Sequence, residues 1–449
     1  QDEPMERIVA KFGGSSVADA AQFRKVAAIM QADPRRRILV VSAPGKRRPD
    51  EAKITDLLYL CHDMTAMATS IDEPFGLITE RFLGIAAELG IDSALPGLLQ
   101  VFRRELEAGC SREFAVSRGE YFCARLMAEF LDAEFVDPAN HILLREGGLV
   151  DPVSYERLRA RLADESRMYV MAGFYGRNRQ GEITTFSRGG SDISGAIAAR
   201  AAGAILYENW TDTSGLLIAD PRIVENPRAI EEISFREVRE MAYMGASVFH
   251  DEAILPVREA SIPVAIRNTN RPEDVGTRIV PKLSATALTS TEIAGISGLN
   301  KATMITVEKS LMNKEIGFGH RLLGIFLQHN ISFEHCPSSI DSMSVIVLDN
   351  KLRGLDQTVL DDIQRQLEPD HLNIEKDLAL IAVVGEGMVR TVGIAAKIFT
   401  ALAAAHINVR VINQGASEIN IIVGVAADDY EEAVRAIYRA FVPEESPTA

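Results

Sequence analysis

The feature that most limits the possible folds is an alternation that begins with the first apolar residues. Arg7–Lys11 (RIVAK) reads as a short buried strand and runs directly into Phe12-Gly13-Gly14-Ser15-Ser16. A helix follows, with Val17, Ala20, Phe23, Ala27 and Met30 near a 3.6-residue period. The next strand, Arg37–Ser42 (RILVVS), is continuously apolar, as a strand covered on both faces must be. Strand, glycine loop, helix and strand make an α/β unit with a parallel sheet.

The pattern recurs along the chain. Met168–Tyr175 (MYVMAGFY) is another strand that runs into glycine, and Ala204–Glu208 and the late Val264–Asn268 are further strands. Between them lies Thr184–Asp192 (TTFSRGGSD), in which two glycines follow Arg188 and precede Ser191 and Asp192 at the head of an alanine-rich helix. Paired glycines admit close backbone approach, and a helix N-terminus beside an arginine favours an anion. Asn209-Trp210-Thr211-Asp212 leaves the strand at Ala204–Glu208, and Leu217–Arg222 (LIADPR) follows it. Open α/β sheets bind ligands at loops of this kind, outside the carboxyl ends of the strands. Pro44–Lys53 is charged and rich in Pro and Gly, a loop and a candidate lid; Thr55–Ser70, Leu77–Ala108 and Phe235–Met244 read as helices.

A chain of 449 residues exceeds one core of usual size. The formal charge of −15 argues against nucleic acid as the main partner, so any basic groups for an anionic substrate must be local. Cys61, Cys110, Cys123 and Cys336 show no metal-binding or disulfide spacing. No apolar run approaches the roughly 18 residues of a membrane span, and a secretory leader is not expected. A cytoplasmic protein without a membrane partner is expected.

Beyond about residue 290 the pattern changes. Gly317–Ile331 and Gly393–Ile407 match at an offset of 76 residues (393 − 317 = 76), which superposes Leu322 on Ile398 and Phe326 on Leu402. The same comparison sets Met343–Val347 against Ile419–Val423. Two βαββ modules are expected.

Lys11 before Phe-Gly-Gly-Ser-Ser sets a cation at a strand end beside a backbone that can wrap phosphate oxygens, although neither GxxxxGK[ST] nor GxGxxG is present. Together with Arg118-Gly-Glu120, Phe186-Ser-Arg188-Gly-Gly-Ser-Asp192, Trp210-Thr-Asp212 and Asp220-Pro-Arg222, this motif resembles the aspartate kinases of the amino-acid kinase superfamily. The likeness runs from about Glu6 to Phe441, and the repeat resembles that family's paired ACT domains. It implies an open, mostly parallel α/β catalytic domain over 5–290, a first ACT module over 295–375 and a second over 376–449. Because one module is often inserted in the other, the closing segment Ala433–Phe441 is expected to return to the first.

The resemblance further implies ATP-dependent phosphorylation of the β-carboxylate of L-aspartate, the first step toward lysine, threonine and methionine. Lys11 would stabilise the transferring phosphoryl group, and Gly13, Gly14 and Ser15 would line the phosphate track. Glu120 would hold the α-ammonium of aspartate and Arg188 its α-carboxylate, with Thr55 and Ser191 as further substrate contacts. Asp192 would organise the site, through Mg²⁺ or by orienting Lys11. Thr211, Asp212, Leu217 and Arg222 would hold the nucleotide. Ser247 stands where many members carry a lysine, which puts the mode of ATP contact in question. An ionised carboxylate nucleophile needs no general base, so His141, His250, His320, His335 and His406 read as structural.

The implied effector pocket comprises Met312, Gly317, Ser332, Phe333, Glu334 and Ser339, with Asn413 and Gln414 at the matching place in the second module. Lysine, threonine or both would bind there, and the modules would join a homodimer or larger assembly. Two other readings compete: a kinase for another acidic amino acid, and a catalytically weak amino-acid sensor. The chain shows no further dinucleotide motif, so a fused dehydrogenase is not expected.

Overall fold

The computed structural model describes residues 6–186, 190–246, 251–290, 292–415 and 417–442. The chain forms two compact units. One takes Gln1–Leu216, Ala229–Val238 and Val248–Leu283; the other takes Leu217–Arg228, Arg239–Ser247 and Ser284–Ala449. The single boundary expected near residue 290 is therefore crossed by two earlier excursions. Within the second unit these excursions satisfy their own backbone: the Ile296 N–H donates to Ile218 O at 2.6 Å, and Arg435 donates to Ile223 O at 2.8 Å.

The first unit begins with β1 (Ile8–Phe12), α1 (Ala20–Ala32), β2 (Arg36–Val41) and α2 (Ile54–Ala66). Asp19 caps α1 by accepting the Gln22 N–H, and Phe23, Val26, Ala27 and Met30 bury one face of it. The stretch expected as one helix over Leu77–Ala108 is two, α3 (Asp72–Leu89) and α4 (Leu95–Glu107). Gly90 ends α3 in the left-handed region at φ 70°, where a continued helix is impossible. Next come α5 (Arg112–Leu131), β3 (Glu134–Val136), α6 (Val153–Arg161) and β4 (Tyr169–Ala172). The strand expected over Met168–Tyr175 stops at Ala172, because the chain turns at Gly173-Phe174 with Phe174 at φ 80°. Tyr175–Arg177 (β5) then forms a separate hairpin with Ile183–Thr185 (β6).

Then follow α7 (Gly190–Ala202), β7 (Leu206–Thr211), β8 (Leu216–Leu217), β9 (Ala229–Ile230), β10 (Glu232–Ser234) and α8 (Phe235–Tyr243). Last come α9 (Leu255–Glu259), β11 (Val264–Asn268) and β12 (Thr277–Val280). Eight strands form one sheet in the order β10-β12-β11-β7-β1-β2-β4-β3, and only β11 and β12 pair antiparallel. The period of two sorts the side chains of the central strands. Ala10, Phe12, Leu39, Val41 and Trp210 pack into a core with α1, α3 and α5, whereas Lys11 and Asn209 lie toward α7.

The second unit contains α10 (Ala285–Ser290), β13 (Gly295–Glu308), α11 (Phe318–Gln328), β14 (Ser342–Leu348), α12 (Asp349–Leu352) and α13 (Asp356–Leu367). It continues with β15 (His371–Val384), α14 (Ile394–Ala404), β16 (Val411–Asn413), β17 (Asn420–Ala426) and α15 (Tyr430–Phe441). These strands make one antiparallel sheet, β14-β13-β15-β17-β16. The internal repeat is visible in the backbone: Gly317 and Gly393 cap equal eleven-residue helices at φ 82° and 96°. Two strands are long enough to serve both copies. Residues 302–308 of β13 pair with β14 and with the start of β15, while Gly295–Asn300 pair with Ala379–Val384.

The closing helix does not return to the first copy. Helix α15 packs beside α14, with Tyr430 against Gly298 of β13. The segment that crosses over is the opening one, Gly295–Asn300, which precedes the first copy and completes the sheet of the second.

Candidate active site

Strand β1 reads IVAKF and is buried throughout, so Lys11 is its one charged residue and is only 7% exposed. A buried ammonium needs a counter-charge. It has one in Asp192, whose Oδ1 lies 2.5 Å from Nζ. Asn209 lies beside Lys11 in the sheet register, and its Nδ2 donates to the same Oδ1 at 2.8 Å. Asp192 occupies the first turn of α7, where its charge also complements the helix dipole. The helix is held close: the Tyr207 hydroxyl donates to Asp192 O at 3.0 Å, and Ser194 Oγ accepts the Phe174 N–H at 2.9 Å.

Two glycine turns meet beside this cluster. The Gly45 N–H donates to Gly14 O at 2.8 Å, and a Cβ on Gly45 would lie 2.7 Å from the Gly14 carbonyl carbon. Only glycine permits that approach, which fixes the loop after β2 against the loop after β1. The Gly13 N–H donates to Trp210 O at 3.0 Å and ties in the end of β7. The candidate lid is anchored. Arg81, buried on α3, donates to Gly45 O at 2.7 Å and pairs with Glu51, and Arg47 pairs with Glu51 as well. Hydrogen bonding from Arg47, then Arg81, holds the Glu51 carboxyl down at about 2.

Glu120 stands on α5, next to Gly119, which packs on Ala43 of the same β2 loop. Its Oε2 is buried without a hydrogen-bond partner among the described residues. Burial pushes its pKa up to about 8, against the pull of the Glu120 and Ala43 backbone N–H groups and the charge of Arg118. A buried carboxyl with an unused oxygen is suited to a cation from outside the chain. Arg118 does not supply that charge: it lies over the rings of Phe114, Tyr121 and Tyr175.

The structure thus brings together Lys11, Gly13, Gly14, Ser15, Ser191, Asp192, Thr211 and Asp212 at the carboxyl ends of β1 and β7 and the start of α7, while Glu120 on α5 meets the Ala43 N–H of the loop after β2. Thr55 is the second residue of α2 and is half-buried. The Thr211 hydroxyl donates to Asp212 at 3.2 Å. Leu217 and Arg222 fall in the second unit, where Arg222 is engaged by Asp220 at 2.6 Å. Arg188 and Ser247 lie outside the described residues. Asn209, the Ala43 amide and Gly45 were not expected as site groups. Asn209 could have been found, since it is a polar side chain in a buried strand, in register with Lys11.

Among the described residues no three His, Cys, Asp or Glu side chains form a metal-binding group, and no helix is long and apolar enough to cross a membrane. A cavity of about 510 Å³ beside α1 is lined by Lys25, Arg36, Trp210 and Arg267, on the sheet face opposite Lys11. Its two arginines are already engaged: Arg36 makes two bonds to Glu208, at 2.8 and 3.0 Å, and Arg267 lies over Trp210.

In the regulatory unit, Met312 is buried and Gly317 begins α11, whereas Ser332, Phe333 and Gln414 are exposed. The Ser339 N–H donates to Ser342 O, and Asn413 bonds His335 at 3.1 Å. Glu334 is deeply buried and ion-paired with Lys351.

A buried lysine–aspartate pair beside glycine turns, at the carboxyl edge of a mostly parallel sheet, suits a site for an anionic ligand. The model of the amino acid kinase family matches residues 6–268, and an ACT domain model matches residues 381–441. Aspartokinase 3 of Bacillus subtilis is 39% identical over 96% of this chain and 98% of its own length. The crystal structure of Clostridium acetobutylicum aspartate kinase superposes with a TM-score of 0.88 at 45% identity, covering 97% of this chain and 99% of that one. Escherichia coli aspartokinase III in complex with aspartate and ADP is also similar, with a TM-score of 0.72 at 26% identity and the same coverage. The chain belongs to the aspartokinases: it is a kinase for aspartate with ACT regulatory modules.

Proposed function

We propose that the cluster around Lys11 carries the γ-phosphoryl group of ATP to the β-carboxylate of L-aspartate, giving 4-phospho-L-aspartate and ADP. The observation that supports it most is the buried Lys11–Asp192–Asn209 cluster beside the Gly14–Gly45 turn. In the transfer a β-carboxylate oxygen bonds to the γ-phosphorus, and the bond from that phosphorus to the ADP oxygen breaks. The nucleophile is already ionised, so no proton moves. What the chain must supply is position and positive charge. Lys11 is desolvated and held by Asp192, so its charge is oriented before the reaction begins. The Gly13–Ser15 turn lines the phosphate track, offering the Gly14 and Ser15 N–H groups, while the Gly13 N–H is held by Trp210 O. Glu120 receives the α-ammonium of aspartate, and Arg188 its α-carboxylate.

Asp192 would offer a nucleotide-borne Mg²⁺ a carboxylate oxygen, which fits an ion that prefers phosphate and water ligands. Bound there, Mg²⁺ would neutralise developing charge on the phosphates. Thr211, Asp212, Leu217, Arg222 and Ser247 are assigned to the nucleotide.

Feedback control is assigned to the ACT modules. Escherichia coli aspartokinase III has been solved with lysine and aspartate in a T-state, which favours lysine as the effector here too. The regulatory sheet ends in two edge strands, β14 and β16. Ile316 and Val392, which precede the cap glycines at equivalent places in the two copies, are fully exposed. Both features favour pairing with a second copy of the chain.

Hydroxylamine converts an acyl phosphate into a hydroxamate. Incubation with Mg-ATP and L-aspartate is expected to yield aspartyl hydroxamate, and L-glutamate at the same concentration little or none. Equal yields from the two acids would overturn the substrate assignment.

A further inference from the structure

We infer that Lys351 is a resident competitor for the ammonium group of a cationic effector at Glu334, and so sets how tightly lysine binds. The inference rests on the effector reading above.

The argument begins with burial. The Glu334 side chain is 2% exposed, and its backbone N–H is fixed to Ile346 O of β14 at 2.7 Å. A carboxylate so enclosed requires a charged or hydrogen-bonding partner. The chain supplies its own. Lys351 reaches Glu334 from α12, which follows β14 without a loop. That short helix is held at both ends: Thr303 donates to Asp349 at 2.6 Å, and Leu352 is buried in the core below. Lys351 is therefore presented by fixed backbone, unlike a long side chain on an open surface.

Exposure gives the direction of approach. Lys351 is 34% exposed while Glu334 is sealed, so the ammonium covers the carboxylate from the solvent side. The Tyr243 hydroxyl, at the end of α8, donates to the same carboxylate. An amino acid whose ammonium is to meet Glu334 must take the position that Lys351 holds. The contact is chemically an alkylammonium on a carboxylate, which free lysine reproduces atom for atom. Threonine has no such side-chain group, and neither has norleucine.

The test is calorimetric titration of the full-length protein with lysine and with norleucine, for the wild type, Lys351→Met and Lys351→Arg. Lysine is expected to bind Lys351→Met about tenfold more tightly, the equivalent of one partly buried ion pair. The lysine concentration for half-inhibition of kinase activity should fall in parallel. Norleucine should be unaffected, and Lys351→Arg, which keeps a competing cation, should stay near wild type. If Lys351→Met fails to fold, Lys351→Gln keeps a neutral hydrogen-bond donor at the position and is expected to show the same gain. A folded variant that binds lysine no better than wild type overturns the inference and leaves the effector site standing. Lysine binding to none of the proteins, wild type included, overturns the effector reading and this inference with it.

Discussion

Replacing Lys11 with methionine is expected to lower kcat by about 10²–10³-fold, with little change in KM for aspartate. Methionine keeps the aliphatic stem packed at a position only 7% exposed, so the fold should survive. What disappears is the ammonium buried beside the glycine turns. Asp192 would then keep Asn209 as its described partner, and its charge would oppose the incoming phosphates. Arginine should not rescue the activity. Its planar, forked head cannot reproduce the single compact charge that Nζ places against Asp192 Oδ1. Steady-state ADP release measures the effect, and a variant with kcat within threefold of wild type would remove Lys11 from the mechanism.

Replacing Glu120 with glutamine should act on the other kinetic constant. KM for aspartate is expected to rise about 10–100-fold, the worth of a hydrogen bond to a charged group, with kcat reduced far less. The same residue predicts a pH dependence. In the free protein burial raises this carboxyl from 4.5 to about 8, so at neutral pH it holds a proton. An α-ammonium is bound by the carboxylate, and aspartate binding therefore expels that proton. Affinity should fall as pH drops below about 8 and level off above it. Stability of the unliganded protein carries the opposite sign. Between 4.5 and about 8 the folded state binds more protons at this site than the unfolded chain, so its contribution to stability declines as pH rises. Glu120→Gln should flatten both dependences. Titration of aspartate in buffers of different ionisation enthalpy would show the proton release in wild type and its absence in the variant.

Much of this was readable from the residues themselves. A lysine inside an otherwise apolar strand, followed by two glycines, announces a cation held at a strand end, and the 76-residue offset announces paired modules with matched helices. Other features required three dimensions. Asn209 enters the site through the register of β1 with β7, which no local pattern fixes. The break at Gly90 was hidden because the apolar spacing resumes after it. The crossover of Gly295–Asn300 depends on a fourteen-residue strand shared by two modules, and sequence offset alone assigns such a strand to one. Lys351 drew no notice because α12 is a single turn, and its partner lies across the β14 strand.

The most direct measurement is ADP release by the full-length protein with Mg-ATP, as a function of L-aspartate and with lysine or threonine added singly and together. Turnover that saturates with aspartate, and that lysine suppresses, is the predicted result. ADP release at the same rate without aspartate, or none with it, would contradict the account.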